Sequence, residues 1–235
     1  MLNKLKIIKM KLPFKIKQVK PRIFLFEFTD QYDMNMHFLR YQEFYESPNP
    51  KFRNKSFTIF EFMEWQAKTE GDGNFTYPTA WSGFNFPGDI ILKVDEKGID
   101  DDNIYDDDMA SAYHICAKKL DKNHNMNGCW SSNDFYIIGC LKSNTRTLQH
   151  EIAHGMFYLN SEYKKEATKL VKALPVRIRT SMEKMLAKTG YTKQVFIDEI
   201  NAYLSTDSKE DLALREIKLK NQDDAFKELF KKYNV

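Results

Sequence analysis

The chain has 235 residues, 42% of them hydrophobic and 14% aromatic, enough apolar matter for one substantial domain or two small ones, which excludes a disordered polymer. Lysine plus arginine (36) nearly balances aspartate plus glutamate (33), and a net charge of +3 gives no reason to expect nucleic acid as a partner. No apolar run is long enough to span a bilayer, and none near the start is long enough for a secretory signal.

Residues 1–20 carry seven lysines and no acid, and read as a basic extension ahead of a domain over 21–235. Within it, Lys15-Ile16-Lys17-Gln18-Val19 alternates as an exposed strand does, which favours an arm packed on the domain over a disordered leader. Residues 21–28, with Ile23, Phe24, Leu25, Phe26 and Phe28, predict a strand. A helix is expected over about 33–46, closed by the break at Pro48 and Pro50. Thr58-Ile59-Phe60-Glu61 has the spacing of a capping box and opens a helix through Lys68.

Residues 71–88 are rich in Gly, Asn, Pro and aromatics and read as a long loop whose rings could grip substrate but more often pin such a loop to the core, which is the favoured reading. Residues 89–94 read as a short strand, and residues 108–120 as a helix. Six aspartates crowd residues 100–108 without the alternating ligands and central glycine of a calcium loop, so a solvated turn and helix N-cap is the expectation. Cys116, Cys129 and Cys140 form no Cys-x-x-Cys pair, and are expected to be reduced thiols in a cytoplasmic protein.

The most informative segment follows. Residues 135–141 (Phe-Tyr-Ile-Ile-Gly-Cys-Leu) predict a strand, and residues 147–159 a helix with Leu148, Ile152, Met156 and Leu159 at helical spacing. Ser143, Asn144 and Thr145 offer capping oxygens between them. On that helix stand His150, Glu151 and His154. Side chains at i and i+4 share a face, so both imidazoles can bind one Zn²⁺, while the carboxylate between them is held beside the metal but off it.

Two histidines leave the zinc geometry open, so a third ligand is required. A downstream histidine in the same helix is excluded: Phe157 and Asn160 occupy the positions where an extended motif would carry glycine and histidine. The other imidazoles, His37, His114 and His124, lie upstream. Residues 192–205 predict a second strong helix, with Phe196, Ile200, Tyr203 and Leu204 as its apolar stripe and Thr192 as cap. Glu199 sits on the margin of that stripe, where a carboxylate is costly without a partner. It is the candidate third ligand, with Asp198 next in line.

HExxH followed by Glu199-Ile200-Asn201-Ala202 resembles the gluzincin metallopeptidases, in which a glutamate from a second helix completes the zinc site. The spacing is most similar to the branch holding lethal-factor-type toxins and Pro-Pro endopeptidases, over roughly residues 135–205. That resemblance implies an oxyanion-stabilising tyrosine shortly before the ligand helix, where Tyr191 stands; Tyr203, on the ligand helix itself, is a second candidate for the role. Tyr203 also follows Ala202 where the branch carries an acid, and Asp198 is the substitute this chain offers.

Strands are thus expected only before residue 142, and further helices over 161–173, 176–188 and two weaker segments to the end. The reading is an α+β, zincin-like fold: a small mixed sheet with the zinc helix in residues 21–159, and a helical part in 160–235 that delivers Glu199. The expected activity is hydrolysis of a protein or peptide substrate in the cleft between the parts, with Glu151 as general base toward a zinc-activated water. The strand at 135–141 is expected to offer an unpaired edge to the substrate backbone. The rival reading is a non-proteolytic binding or regulatory module stapled by zinc.

Overall fold

The computed structural model describes residues 12–98, 101, 103–124, 135–206, 217, 219 and 221–234. Its four-stranded sheet begins with a hairpin of β1 (Lys15–Lys20) and β2 (Ile23–Phe28). Arg22 adopts a left-handed φ of 65°, the conformation that lets so short a link reverse the chain. The packed alternative for residues 15–20 of the basic arm is therefore the one seen; residues 1–11 lie outside the described residues.

β4 (Tyr136–Leu141) pairs in parallel with β2, and β3 (Gly83–Pro87) pairs antiparallel with β4, giving the order β1-β2-β4-β3. This corrects the expectation of a free edge at residues 135–141. β4 is an interior strand, as its nearly continuous apolar run suits, and the edge belongs to β3. Gly83, Asn85 and Pro87 are poor strand formers, tolerable because only one side of β3 is paired. The aromatic loop is accordingly shorter than expected. It keeps a 3-10 turn at Tyr77–Thr79, then becomes strand, with Tyr77, Phe84 and Phe86 in the core.

Both faces of the central strands β2 and β4 are buried, whereas edge strand β1 is largely exposed, and the period of two along β2 divides the two faces. Phe24, Phe26 and Phe28 face one core with α1 (Gln31–Glu46), α2 (Ile59–Thr69), α3 (Asp89–Glu96) and α4 (Ile104–His124). Ile23 and Leu25 face the other, with α5 (Thr145–Leu159), α6 (Ser161–Ala173), α8 (Phe196–Thr206) and α9 (Asp224–Tyr233). α7 (Val176–Lys188) joins α8 in a third cluster around Met182 and Leu186. The chain is α+β, with the described strands before residue 142 and helices after it. Among the described residues no helix is long and apolar enough to cross a membrane.

Two further expectations are corrected. Residues 89–94 form α3, not a strand: Ile90, Ile91 and Val94 bury one helical face, and Lys93 pairs with Asp89 one turn back at 2.7 Å. Six residues are too few to separate the two periods by pattern alone. Among the described aspartates of residues 100–108, Asp107 is exposed, but Asp101, Asp106 and Asp108 are not merely solvated. Asp101 and Asp106 accept from the Arg40 guanidinium at 2.6 and 3.0 Å, Asp101 accepts from the backbone N–H of Ile59, and Asp108 meets buried His37 at 3.2 Å. Asn103 caps α4, which starts at Ile104 rather than at 108.

Arg40, only 3% exposed, also donates to the Phe57 carbonyl and ties α1 to α4 and to the start of α2. Removing it would strand two carboxylates and a carbonyl. Arg40→Met should lower the free energy of unfolding by about 3–5 kcal/mol in urea titrations, and a loss below about 1 kcal/mol would contradict this.

Candidate metal centre

α5 starts where β4 ends. Asn144 caps it by accepting from the backbone N–H of Thr147 at 3.1 Å, and the helix then lies close against the sheet. Gly155 permits that approach, since a Cβ there would stand 2.8 Å from Ile23 Cδ1. On the side facing α8, the rings of His150 and His154 sit 4.9 Å apart, centroid to centroid, at 72°. Apolar packing of Ile200 and Leu204 fixes the roll of α8 and turns Glu199 inward to 4% exposure.

Glu199 Oε1 lies 3.6 Å from His154 Nε2, and Oε2 lies 3.8 Å from His150 Nε2. One donor atom from each of the three residues falls within 4.8 Å of the others. Ligands of a tetrahedral zinc at about 2.1 Å stand about 3.4 Å from one another, so small adjustments would close these atoms on an ion. Glu199 Oε2 is buried and accepts no hydrogen bond from the protein. A buried carboxylate that faces two imidazoles, with one oxygen accepting no hydrogen bond, could hold a divalent cation.

Asp198, the reserve ligand, has a different place. Its Oδ2 is 3.1 Å from His154 Nδ1, which leaves Nε2 facing the site. Burial alone would lower the His154 pKa, but Asp198 and Glu199 outweigh it and hold the ring well above its ordinary value. Glu151 is buried on the sheet side of α5, and burial raises its pKa against the pull of His150, His154 and a hydrogen bond from Asn85.

The structure brings both candidate tyrosines to the same cleft. The Tyr203 ring meets the His150 ring edge-on at 4.9 Å and 75°. Tyr191 borders the cleft beside Glu199, whose charge, followed by burial, raises its hydroxyl well above the usual phenol range and keeps it a donor at neutral pH. The cleft has two lobes that meet at His150, Glu151, Tyr191 and Gly83. One, of about 450 Å³, is walled by Glu43, Glu46, Trp65 and Tyr77; the other, of about 440 Å³, by Asn144, Thr147 and Tyr203.

Several of these residues carry no local signal in the sequence. Asn85 and Gly83 come from the segment read as loop, and Tyr136 from the interior strand. Glu46 looks like the polar end of an amphipathic helix, yet burial, with the Glu199 charge adding to it, pushes its carboxyl up to about 8. Only the pairing of β3 to β4 brings Asn85 to Glu151. Cys116 and Cys140 are buried free thiols that line neither lobe, and Cys129 lies outside the described residues.

No protein-family profile matches this chain, and no curated protein or solved structure matches it either.

The cleft wall gives a pH-dependent prediction. Burial raises the Glu43 carboxyl to about 7, because the charged form is penalised in the fold. Its contribution to stability is complete below its unfolded value near 4.5 and is lost as pH rises through about 7. In chelator, Glu43→Gln should therefore gain stability relative to the parent between pH 5 and pH 8, by up to about 3 kcal/mol. Melting curves across that range would contradict it if the difference were flat or of opposite sign.

Proposed function

We propose that this chain is a zinc-dependent metallopeptidase of the gluzincin kind, in a zincin-like arrangement of sheet, HExxH helix and ligand helix. The observation that carries the reading is the Glu199 carboxylate, buried with one oxygen that accepts no hydrogen bond, 3.6 and 3.8 Å from the two His Nε2 atoms. His150, His154 and Glu199 would hold the ion. Zinc, when bound, would supply Lewis acidity and bring the pKa of a water down to about 7.

The protein's own groups take the remaining roles. Glu151 accepts the water proton and returns it to the leaving amine. Tyr191, and after it Tyr203, donates to the oxyanion as it forms. Asp198 keeps His154 oriented through Nδ1. The substrate is a protein or peptide that lies extended through both lobes, its backbone added to the open edge of β3. A purely structural zinc staple would have no use for a buried carboxylate at position 151 bordering both lobes.

Two variants test the reading. Glu151→Gln should retain about one zinc per chain and lose at least about 100-fold in cleavage of a denatured protein mixture. Glu199→Ala should lose most of its zinc at micromolar concentrations. Cleavage that survives in Glu151→Gln, or in the parent protein treated with chelator, would overturn the peptidase assignment.

A further inference from the structure

Glu151 has a second set of neighbours, all on the sheet. Its Oε2 accepts from Asn85 Nδ2 at 2.7 Å, and Asn85 Oδ1 in turn accepts from the Tyr136 hydroxyl. A side-chain amide can present either end to a carboxylate, and only the NH₂ end attracts it. Tyr136 resolves the choice. Its buried hydroxyl donates to Oδ1, which leaves Nδ2 for Glu151; a flipped amide would set Oδ1 against the carboxylate and take the acceptor from the Tyr136 O–H.

The other oxygen, Oε1, is seated by shape. It occupies the space above Gly83, where a Cβ would stand only 2.5 Å away, and 2.3 Å from Thr147 Cγ2. Gly83 and Asn85 are two residues apart on β3 and so project to the same face of the strand. The edge strand thus forms a socket for this carboxylate, with a donor at one end and a gap at the other.

We propose that Asn85 is a positioning residue for the general base, held in the correct amide orientation by Tyr136. This rests on the metallopeptidase reading. With one in-plane position of Oε2 taken by Asn85, the proton from water is taken up at Oε1, the oxygen beside Gly83 at the junction of the two cleft lobes. Loss of the tether would leave a Glu side chain free to turn among several rotamers, of which few point an oxygen correctly.

The test uses full-length, zinc-loaded protein and dye-labelled denatured casein. Asn85→Ala should lower kcat about 10- to 100-fold with KM within about twofold and zinc content unchanged. Tyr136→Phe, which loses a single oxygen and keeps the ring in the core, should lower kcat in the same way by a smaller factor, and serves if Asn85→Ala fails to fold. In zinc-free protein, the melting-temperature changes of Asn85→Ala and Glu151→Gln should be non-additive in the double variant. An unchanged kcat, a rise in KM alone, or strict additivity would overturn the role. If the parent shows no chelator-sensitive cleavage of casein, the peptidase reading falls and takes this role with it. Parent cleavage beside an unimpaired Asn85→Ala overturns the role alone.

Discussion

Glu199 is almost wholly buried, and one of its oxygens accepts nothing from the protein. Withdrawing a carboxylate from water costs several kcal/mol unless opposite charge and hydrogen bonds replace the solvent. Around it stand Asp198, Glu151 and Glu46, with His150 and His154 the imidazoles facing Glu199. Carboxylates outnumber imidazoles at this point of the fold. A bound divalent cation would relieve that imbalance, and the Nε2 atoms that face Glu199 are the atoms a cation would use.

The rest of the architecture can be understood as the means of holding those groups together. Central strands buried on both faces need helices on each side, and the alternation along β2 sorts phenylalanines to one and aliphatic residues to the other. α5 lies against the second face because Gly155 lets its backbone approach Ile23. That approach carries Glu151 to β3 on one flank and the two imidazoles to α8 on the other. The helix therefore keeps two sets of contacts apart. Its outer side faces the Glu199 carboxylate, and its inner side faces the β3 socket that holds Glu151.

The part of this visible in the sequence was the part encoded locally. His150, Glu151 and His154 share one helix, where spacing dictates direction, and Glu199 was marked by the cost of a carboxylate beside an apolar stripe. The capping box at Thr58 and the alternation of residues 15–19 were likewise local, and the structure contains the corresponding helix and strand. What could not be read depended on pairing across the chain. β3 has the composition of a loop and becomes a strand only beside β4. Asn85, Gly83 and Tyr136 acquire meaning through that register, in which Asn85 lies opposite Ile138. Arg40 gave no hint that it would gather aspartates from about sixty residues away, and the short apolar run at 89–94 fitted either period.

The most direct test of the account is diffraction from zinc-soaked crystals at the zinc absorption edge. An anomalous peak is expected at bonding distance from His150 Nε2, His154 Nε2 and a Glu199 carboxylate oxygen, about 2.0–2.2 Å from each, with Asp198 still on His154 Nδ1. No peak between these three residues, or a peak whose ligands exclude Glu199, would contradict it.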